Sequence, residues 1–483
     1  MADWLATWWP LVASGVATTA AIAASIHAVL NKREARSAAL WVAVIVFLPL
    51  VGALAYLLLG VNRIARAGVR VRGGMKRYAH AAPAALGADA LRARLAPADA
   101  HLVEIGLAIE RTGRWELVPG NRVEPLRDGD QAYPAMLAAI DGATRSVALL
   151  TYIFDSDVAG LRFVDALARA RDRGVEVRVL VDDAGARYAR PTIDRLLRRR
   201  GVPVARFLPM LIPWSLNYAN LRNHRKVLVV DGELAFSGGM NIRHGCVLAE
   251  APAAPTRDLH FRLAGPVVTE LMDVFAEDWT FATGEELDGP RWFPAVQPVA
   301  GDAISRVITD GPDADLDCMR WALLAGLAAA HRSVRVVTPY FLPDEALVTA
   351  LNLAALRGVE VDLVLPARGN LRVVDWAMQG ELWKVLEHGC RVWLTPPPFD
   401  HSKVMVVDGV WTLLGSTNWD PRSLRLNFEL GVECYDPELA TAVEALVAER
   451  VASARRLVAA DLAARPWPVR LRNATVRLLS PYL

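Results

Sequence analysis

Two long apolar runs dominate the first sixty residues of the chain. Residues 4–30 contain no charged side chain, with His27 as the nearest approach to one, and residues 38–59 contain no charged side chain either. Each run is longer than the ~20 apolar residues that cross the hydrocarbon layer of a bilayer as a helix. The pattern predicts a membrane anchor over residues 1–62 with two transmembrane helices, at about 4–30 and 38–59. A cleaved signal peptide is the alternative for the first run, and a buried helical hairpin is the alternative for the pair.

Basic residues flank these runs unequally. The loop from Asn31 to Ser37 has three basic residues and one acid, whereas the stretch after the second run has six basic residues before its first acid, Asp89. The six are Arg63, Arg66, Arg70, Arg72, Lys76 and Arg77. Because the more positive flank of a membrane helix stays in the cytoplasm, we expect the N-terminus and everything after the second run to be cytoplasmic.

From about residue 119 the pattern changes to alternating strands and helices, after an Ala-rich connector over 63–118. Short apolar runs bounded by turn residues predict buried strands, and apolar positions at helical spacing predict helices that cover them. The first predicted elements are a helix at 132–141, a strand at 146–155, a helix at 161–174 and a strand at 175–182. This βαβ order predicts a mixed or parallel sheet with helices on its faces.

The second half of the chain repeats the first. The run that begins at Ser146 resembles the one at Ser333, 187 positions later, and the run at Gly174 resembles the one at Gly358, 184 positions later. Near-constant offsets at matched elements indicate two copies of one domain. We therefore expect an α/β fold of two tandem domains related by a pseudo-twofold axis, each a mixed β-sheet flanked by helices. The two domains are expected at residues 119–295 and 296–483.

Each copy contains the same short motif, H-x-K-x4-D. The motif residues are His224, Lys226 and Asp231 in the first copy and His401, Lys403 and Asp408 in the second. Residues two apart on a strand point the same way, so the histidine and lysine of each copy share a face. The aspartate falls on the opposite face, followed by glycine, and is expected to hold a turn. The chain has only five lysines, and two of them occupy these motifs. An imidazole beside an ammonium, present twice, suits the chemistry of an anionic phosphodiester.

Composition narrows the possible functions. The formal net charge is +2, so the chain lacks the basic excess that is typical of a nucleic-acid-binding protein. The four cysteines are far apart and form no C-x-x-C pair, which indicates neither a disulfide framework nor a zinc site. We therefore expect no metal, no cofactor and no nucleic-acid partner. The oligomeric state stays open.

At the two motifs the chain resembles the phospholipase D superfamily, whose members carry the same pair. The resemblance implies a covalent phosphohistidine intermediate. It favours His224 as the nucleophile and His401 as the acid/base, a choice that the residues alone leave open. It also implies that an acid downstream of each motif hydrogen-bonds a motif histidine, and the matching acids are Asp258 and Glu429. The lysines, together with Asn241 and Asn418, are expected to hold the phosphate oxygens.

The two copies differ at a small corner that follows each motif. The family pattern there is Gly-Ser-x-Asn, which the second copy keeps at Gly415, Ser416 and Asn418. The first copy has Gly239 where serine is expected, so a hydroxyl donor is missing. We expect the two halves of the site to bind phosphate unequally.

Several further segments resemble bacterial cardiolipin synthases. These segments are 37–60, 152–155, 222–226 and 338–344. The resemblance implies that the chain joins two phosphatidylglycerol molecules into cardiolipin and releases glycerol, at the inner membrane of a bacterium. The alternatives are a hydrolytic phospholipase D, a phosphatidylserine-synthase-like transferase, a membrane-tethered nuclease and a non-catalytic membrane scaffold. The C-terminal tail, 466–483, is either an interfacial helix or a helix at the edge of a domain.

Overall fold

The chain forms two units, Met1–Ala67 and Gly68–Leu483. The structure is a computed structural model, and it describes residues 2–32, 35–60, 77–78, 80, 85–209, 221–295 and 299–480. The basic cluster predicted to orient the anchor lies outside the described residues, except for Arg77.

The N-terminal unit is helical. Its helices are α1 (Ala2–Asn31), α2 (Ala35–Phe47) and α3 (Pro49–Ala55), followed by a π-helical turn at Tyr56–Gly60. Among the described residues, one helix is long and apolar enough to cross a membrane, over Trp8–Asn31. This helix coincides with the first predicted span.

The second predicted span, residues 38–59, is not one helix. It breaks at Leu48, whose φ of −133° is outside the helical range. The break follows from Pro49, which lacks an N–H and crowds the backbone of the residue before it. The chain reverses at this point, since a Cβ added to Gly52 would lie 2.4 Å from the carbonyl oxygen of Val44. The prediction of two transmembrane helices is therefore not confirmed.

The second unit is built on one large sheet with helices on its faces. Its strands are β1 (Val118–Arg127), β2 (Ser146–Thr151), β3 (Glu176–Asp182), β4 (Val204–Phe207), β5 (Arg222–Asn223), β6 (Val227–Val230), β7 (Leu234–Gly238), β8 (Thr256–Arg257), β9 (Leu259–Ala264), β10 (Ala303–Asp310), β11 (Ser333–Val337), β12 (Glu360–Pro366), β13 (Arg391–Thr395), β14 (Phe399–Asp400), β15 (Val404–Val407), β16 (Trp411–Gly415), β17 (Asn427–Tyr435) and β18 (Arg455–Leu457).

Helices fill the connections between these strands. They are α4 (Ala88–Arg94), α5 (Val103–Glu110), α6 (Asp128–Gly142), α7 (Val158–Asp172), α8 (Ile193–Arg199), α9 (Val267–Thr283), α10 (Cys318–Ala329), α11 (Glu345–Leu356), α12 (Arg372–Glu381), α13 (Trp383–Leu386), α14 (Pro421–Arg425), α15 (Pro437–Ser453), α16 (Ala459–Ala463) and α17 (Trp467–Arg477).

The strand order is symmetric about the antiparallel pair β1–β10. On one side it runs β10-β17-β16-β15-β11-β12-β13, and on the other it runs β1-β9-β7-β6-β2-β3-β4, with β18 added at one edge. Strands β11, β12 and β13 are parallel in one half and β2, β3 and β4 are parallel in the other, whereas the inner strands and β18 pair antiparallel. The predicted α/β fold with two mixed-sheet domains is confirmed. The boundaries at 118/119 and 295/296 stay a prediction.

The predicted elements of the first copy are present with shifted ends. The predicted helices at 132–141 and 161–174 are α6 and α7, which both begin earlier than expected. The strand predicted at 146–155 stops at Thr151. The next residues leave the sheet, and Phe154 pairs with Ile242 in the corner after the motif instead. The apolar run is thus partly strand and partly the wall of the site.

Part of the connector packs on the second copy rather than on the first. Leu91, Leu102 and Ile109 are buried in the same cluster as the core of the second copy. His101 lies in this segment, and its Nε2 is 2.7 Å from Oδ2 of Asp408, the motif aspartate of the second copy. The part of the predicted connector from residue 91 to residue 117 therefore belongs to the folded core.

Candidate active site

Two short parallel strand pairs join the halves at the motifs. β5, directly before His224, pairs with the start of β17, and β14, directly before His401, pairs with β8. Both registers continue by one residue, which places His224 opposite Glu429 and His401 opposite Asp258. The backbone agrees, because the His224 N–H donates to the Phe428 carbonyl at 2.9 Å and the His401 N–H donates to the Arg257 carbonyl at 2.7 Å.

The imidazoles therefore bind acids from the opposite half. His224 Nδ1 lies 3.0 Å from both carboxylate oxygens of Glu429, and His401 Nδ1 lies 2.7 Å from Oδ2 of Asp258. The Glu429 and Asp258 side chains are fully buried, and the His224 and His401 side chains are 11% and 12% exposed. A single site contains both motifs, since the charge on Lys226 acts on His401 as well as on its own histidine.

The two lysines are buried beside these pairs. Lys226 Nζ donates to the carbonyl of His224 at 2.5 Å, and Lys403 Nζ donates to the carbonyl of His401 and lies 3.0 Å from its Nδ1. Burial lowers the pKa of Lys226 to about 7 and that of Lys403 to about 8, against the attraction of nearby acids that include Glu429. The charge of Lys403 also acts to lower the pKa of Lys226. Burial thus leaves both ammonium groups poorly stabilised, although an acid lies near them.

The motif aspartates lie at the hairpin turns and not against the histidines. Asp231 and Asp408 have φ of 55° and 54°, and each is followed by a glycine in the same left-handed region. Three residues connect the paired strands of each hairpin, and the first two have the positive φ of a primed hairpin turn. The Asp231 carboxylate accepts from the backbone N–H groups of Arg145 and Ser146. Asp408 accepts in the same way from residues 331–333. Both carboxylates anchor the motif hairpin to the neighbouring strand.

The corner residues support the site from behind. Ser416 Oγ donates to Oε2 of Glu429 at 2.5 Å. The matching Gly239 leaves no room for a side chain, because an added Cβ would lie 2.4 Å from Oδ1 of Asp258. The missing hydroxyl is thus a packing requirement of the first copy. Asn241 Oδ1 accepts from the Ile153 N–H at 3.0 Å, which leaves its amide N–H groups for other partners.

Asn418, the last residue of the Gly-Ser-x-Asn corner in the second copy, has an acceptor atom that is not hydrogen-bonded within the described part of the chain. Asn418 donates through Nδ2 to Ser423 Oγ at 3.2 Å, while its buried Oδ1 has no partner among the described residues. Within the same described residues no group of three or more His, Cys, Asp or Glu side chains has the arrangement of a metal site.

The two histidine–acid pairs carry different charge. Burial acts to raise the pKa of Glu429, but His224, Lys226 and the Ser416 hydroxyl outweigh it and hold that pKa below its usual value. Burial raises the pKa of Asp258 to about 8, against the attraction of Lys403. At neutral pH Glu429 is therefore a carboxylate, whereas Asp258 is largely a neutral acid.

These charge states select different tautomers of the two imidazoles. The Glu429 carboxylate can only accept, so His224 donates from Nδ1 and keeps a lone pair on Nε2. The neutral Asp258 carboxyl and the Lys403 ammonium both donate toward Nδ1 of His401, so that ring carries its proton on Nε2. Burial lowers the pKa of His224 to about 4, which keeps its ring neutral at physiological pH. One ring presents a nucleophile and the other presents a proton.

Comparison with known proteins agrees with this geometry. The model of the cardiolipin synthase, phospholipase D-like domain matches residues 136–279 and 323–450, and a phospholipase D-nuclease N-terminal model matches 19–60. The chain belongs to the phospholipase D-like cardiolipin synthase family. Cardiolipin synthase A of Pseudomonas entomophila (strain L48) is 33% identical over 467 residues, which is 96% of each chain. Cardiolipin synthase A of Pseudomonas aeruginosa (strain LESB58) is 35% identical over 95% of this chain and 93% of its own.

A solved structure has the same fold at low sequence identity. Phosphatidylserine synthase of Haemophilus influenzae Rd KW20 superposes with a TM-score of 0.60 at 14% identity, over 79% of this chain and all of that one. This likeness supports the fold of the family.

Three aromatic residues and a histidine at this family site lie outside the two H-x-K-x4-D motifs, although Tyr152 and Tyr340 belong to the segments that resemble bacterial cardiolipin synthases. The Tyr152 ring lies 5.1 Å from His224, and Lys226 Nζ lies 5.7 Å from the Tyr152 ring centre. Phe399 lies 5.9 Å from His401, and Tyr340 lies 6.3 Å from Phe399. His260 is buried, and burial followed by the charge of Lys226 lowers its pKa to about 3. A further sequence hint was the position of Tyr152 and Tyr340 after matched strands.

The buried lysines predict a gain of stability when one of them is removed. Lys403→Met deletes an ammonium that burial disfavours, so the melting temperature at pH 7 should rise by about 2 °C or more. The folded pKa of about 8 lies below the unfolded value of 10.5, so the gain is complete below pH 8 and vanishes as the pH approaches 10.5. Phosphodiester turnover should be lost in the same variant.

Lys384→Met is the matched control for this measurement, because Lys384 pairs with Glu381 and is partly exposed. Its melting temperature should not rise. A fall in the melting temperature of Lys403→Met would contradict the desolvation cost.

The same shifts predict a pH profile for a soluble p-nitrophenyl phosphodiester. kcat/KM reports the free enzyme, so it should rise as His224 loses its proton near pH 4 and fall above pH 7 to 8 as Lys226 and then Lys403 lose theirs. A bound diester anion stabilises both ammonium groups, so the alkaline limb of kcat should lie at higher pH. Identical alkaline limbs for kcat and kcat/KM would show that the lysines do not face the substrate.

Proposed function

We propose that this protein is a membrane-bound phosphatidyltransferase that makes cardiolipin from two phosphatidylglycerol molecules and releases glycerol. The observation that carries the proposal is the reciprocal arrangement of His224 with Glu429 and His401 with Asp258 beside two buried lysines. The relatives named cardiolipin synthase A span nearly the whole chain, which supports the same substrate class.

In the proposed first step, His224 Nε2 attacks the phosphorus of phosphatidylglycerol. The P–N bond forms as the bond from phosphorus to the glycerol oxygen breaks, and a phosphohistidine carries the phosphatidyl group. His401 gives its Nε2 proton to the leaving glycerol oxygen while its Nδ1 takes the proton of the Asp258 carboxyl, so the ring stays neutral and Asp258 becomes a carboxylate. Lys226 and Lys403, with Asn241 and Asn418, hold the non-bridging oxygens, on which charge accumulates in the transition state.

In the proposed second step, the glycerol hydroxyl of another phosphatidylglycerol replaces His224 on phosphorus. Its proton passes to Nε2 of His401 as the Nδ1 proton of that ring returns to Asp258, which restores both rings and the Asp258 carboxyl to their starting states. The product is cardiolipin. Water competes for the same intermediate, so transfer requires a site that favours a lipid alcohol over solvent. Asp231, Asp408 and Ser416 are proposed to act only through the groups they hold.

We also propose that the protein lies at the inner membrane of a bacterium, with its catalytic region on the cytoplasmic side. Support comes from the apolar helix Trp8–Asn31 and from the excess of basic residues in the sequence between 63 and 77. The proposed division is an anchor at 1–62, a connector at 63–118 and the two domains at 119–295 and 296–483. Phospholipid substrates reach such a site from the adjoining leaflet.

A product assay with phosphatidylglycerol as the only lipid tests the proposed reaction. Cardiolipin and glycerol should accumulate in equal amounts, and His224→Ala and His401→Ala should each reduce the rate by at least about 10³-fold. His388→Ala, which changes an exposed histidine, is the matched control and should retain full activity.

Other products would identify other functions. Phosphatidic acid without cardiolipin would indicate a hydrolytic phospholipase D. Cleavage of single-stranded DNA that depends on His401 would indicate a nuclease. Wild-type lipid composition in cells that carry only His224→Ala would indicate a non-catalytic scaffold.

The unequal acids predict unequal effects of isosteric amides. Glu429→Gln places an N–H toward Nδ1 of His224, which moves the ring proton to Nε2 and removes the attacking lone pair. The burst of nitrophenolate from a p-nitrophenyl phosphodiester, which reports the first step alone, should slow by about 10³- to 10⁴-fold. Asp258→Asn keeps a donor beside His401, and this leaving group needs no proton, so its burst should slow by less than about tenfold. Equal losses would refute the assigned charge states.

A further inference from the structure

Two amphipathic helices form one exposed edge of the second domain. α12 and α17 pack side by side, with the Arg472 guanidinium 4.4 Å from the Trp376 ring and Arg477 3.7 Å from Glu381. Both contacts join positions that are 96 residues apart, so the helices run in the same direction. Their N-terminal ends, which carry Leu371 and Trp467, therefore lie toward the same end of the pair.

Large apolar side chains on these helices point into solvent. On α17 and its end they are Trp467, Leu471 and Leu478, whose spacings of four and seven place them on one face. At the start of α12 they are Leu371 and Val373. Trp467 is 72% exposed and Leu471 is 57% exposed. We call these five residues the α12–α17 face. Large apolar side chains grouped on an exposed surface are typical of a protein-binding or membrane-binding site.

The charge around this face is mainly positive, although Asp461 pairs with Arg455 and acts on Arg465. Residues 465–480 contain four arginines and no acid, and Arg368 and Arg372 lie at the start of α12. The nearby acids are already engaged, because Asp375 is buried against the Gly369 N–H and Glu381 pairs with Lys384. Burial, followed by repulsion from Arg455 and Arg472, lowers the pKa of Arg465. The patch therefore combines exposed apolar groups with crowded positive charge.

A chain of contacts connects this face with the catalytic histidine of the second copy. Asn370, which precedes Leu371, accepts a hydrogen bond from the Tyr340 hydroxyl at 2.6 Å. The Tyr340 ring contacts Phe399, and Phe399 contacts His401, with ring centres 6.3 and 5.9 Å apart. The start of α12 is thus connected to His401 through Tyr340 and Phe399.

We propose that the α12–α17 face docks on the surface of an anionic lipid bilayer. Trp467, Leu471 and Leu478 enter the boundary between headgroups and acyl chains, and the arginines bind lipid phosphates. Docking holds the entrance beside Tyr340 against the bilayer, so a lipid headgroup reaches His401 while its acyl chains stay in the membrane. The inference rests on the proposed function only in taking the substrate to be a phospholipid.

A second copy of this chain fits the face less well. A twofold contact through it would bring the same arginines of two molecules together, and like charges would oppose the contact. An anionic bilayer neutralises these charges and accepts the apolar side chains at the same time.

The test uses the full-length protein in vesicles, with Leu471→Cys labelled by an environment-sensitive nitrobenzoxadiazole fluorophore. The four native cysteines are buried, so the label is selective. In phosphatidylcholine vesicles that contain phosphatidylglycerol, emission should shift to the blue and be quenched at least about twofold by lipids with a nitroxide near the top of the acyl chain. Leu356→Cys, at a residue 67% exposed on α11, is the matched control and should report water.

Two outcomes would overturn the proposal. One is a Leu471 probe that stays in water in the anionic vesicles. The other is a probe that becomes buried equally in neutral vesicles and in detergent and responds to protein density, which would indicate self-association.

A kinetic readout separates docking from catalysis. The double variant Leu471→Glu/Leu478→Glu should raise the KM for phosphatidylglycerol in vesicles by about tenfold, with the rate on a soluble p-nitrophenyl phosphodiester unchanged. Leu356→Glu should change neither. If the probe inserts but the protein makes no cardiolipin, the docking proposal stands and the proposed function is wrong. If the protein makes cardiolipin but the probe stays in water, the proposed function stands and the docking proposal is wrong.

Discussion

The site depends on two parallel strand pairs of two residues each, one on either side of the pseudo-twofold axis. Each pair crosses from one half of the sheet to the other and ends on a histidine that faces an acid from the far half. Neither half can orient its own imidazole, because His224 relies on Glu429 and His401 relies on Asp258. Folding of both halves against each other is thus a precondition of the chemistry. The contact between the two halves also excludes water from Lys226, Lys403 and Asp258. Burial is therefore the largest influence on the pKa of each of these groups.

The symmetry of the backbone does not extend to the charges. Glu429 reaches its imidazole with the help of the Ser416 hydroxyl, whereas Asp258 is one methylene shorter and lies against Gly239, where even a Cβ has no space. Fewer hydrogen bonds reach the Asp258 carboxyl, so burial leaves it neutral while Glu429 stays ionised. His224 and His401 occupy equivalent positions in the two copies but therefore have different tautomers. Glycine in place of serine, which removes both the Cβ and the hydroxyl, is part of what distinguishes the two roles.

Local patterns explain what the sequence could predict, and long-range packing explains what it could not. The repeat offsets predicted two copies of a mixed-sheet domain. The motif histidines and lysines were expected on strands, but residues 224–226 and 401–403 lie just before β6 and β15. The sequence could name Asp258 and Glu429 as partners of the histidines but not which histidine each one faces, because strand pairs between the halves set the crossing. Hydropathy counts apolar residues and does not register the break before Pro49. His260 and Tyr340 belong to no motif, so only the folded chain brings them to the site.

The charges in the site favour a phosphodiester anion as its ligand. Lys226 and Lys403 share a pocket with one ionised acid, Glu429, because Asp258 is largely neutral there. A phosphodiester contributes a single negative charge between the two ammonium groups and relieves both their repulsion and their poor solvation. A neutral ester would relieve neither. Burial disfavours the charged lysines in the free protein, and for the same reason it favours the binding of an anionic diester over a neutral ester. The arginines around α17 apply the same preference at the entrance, where an anionic bilayer meets them before any single lipid reaches His401.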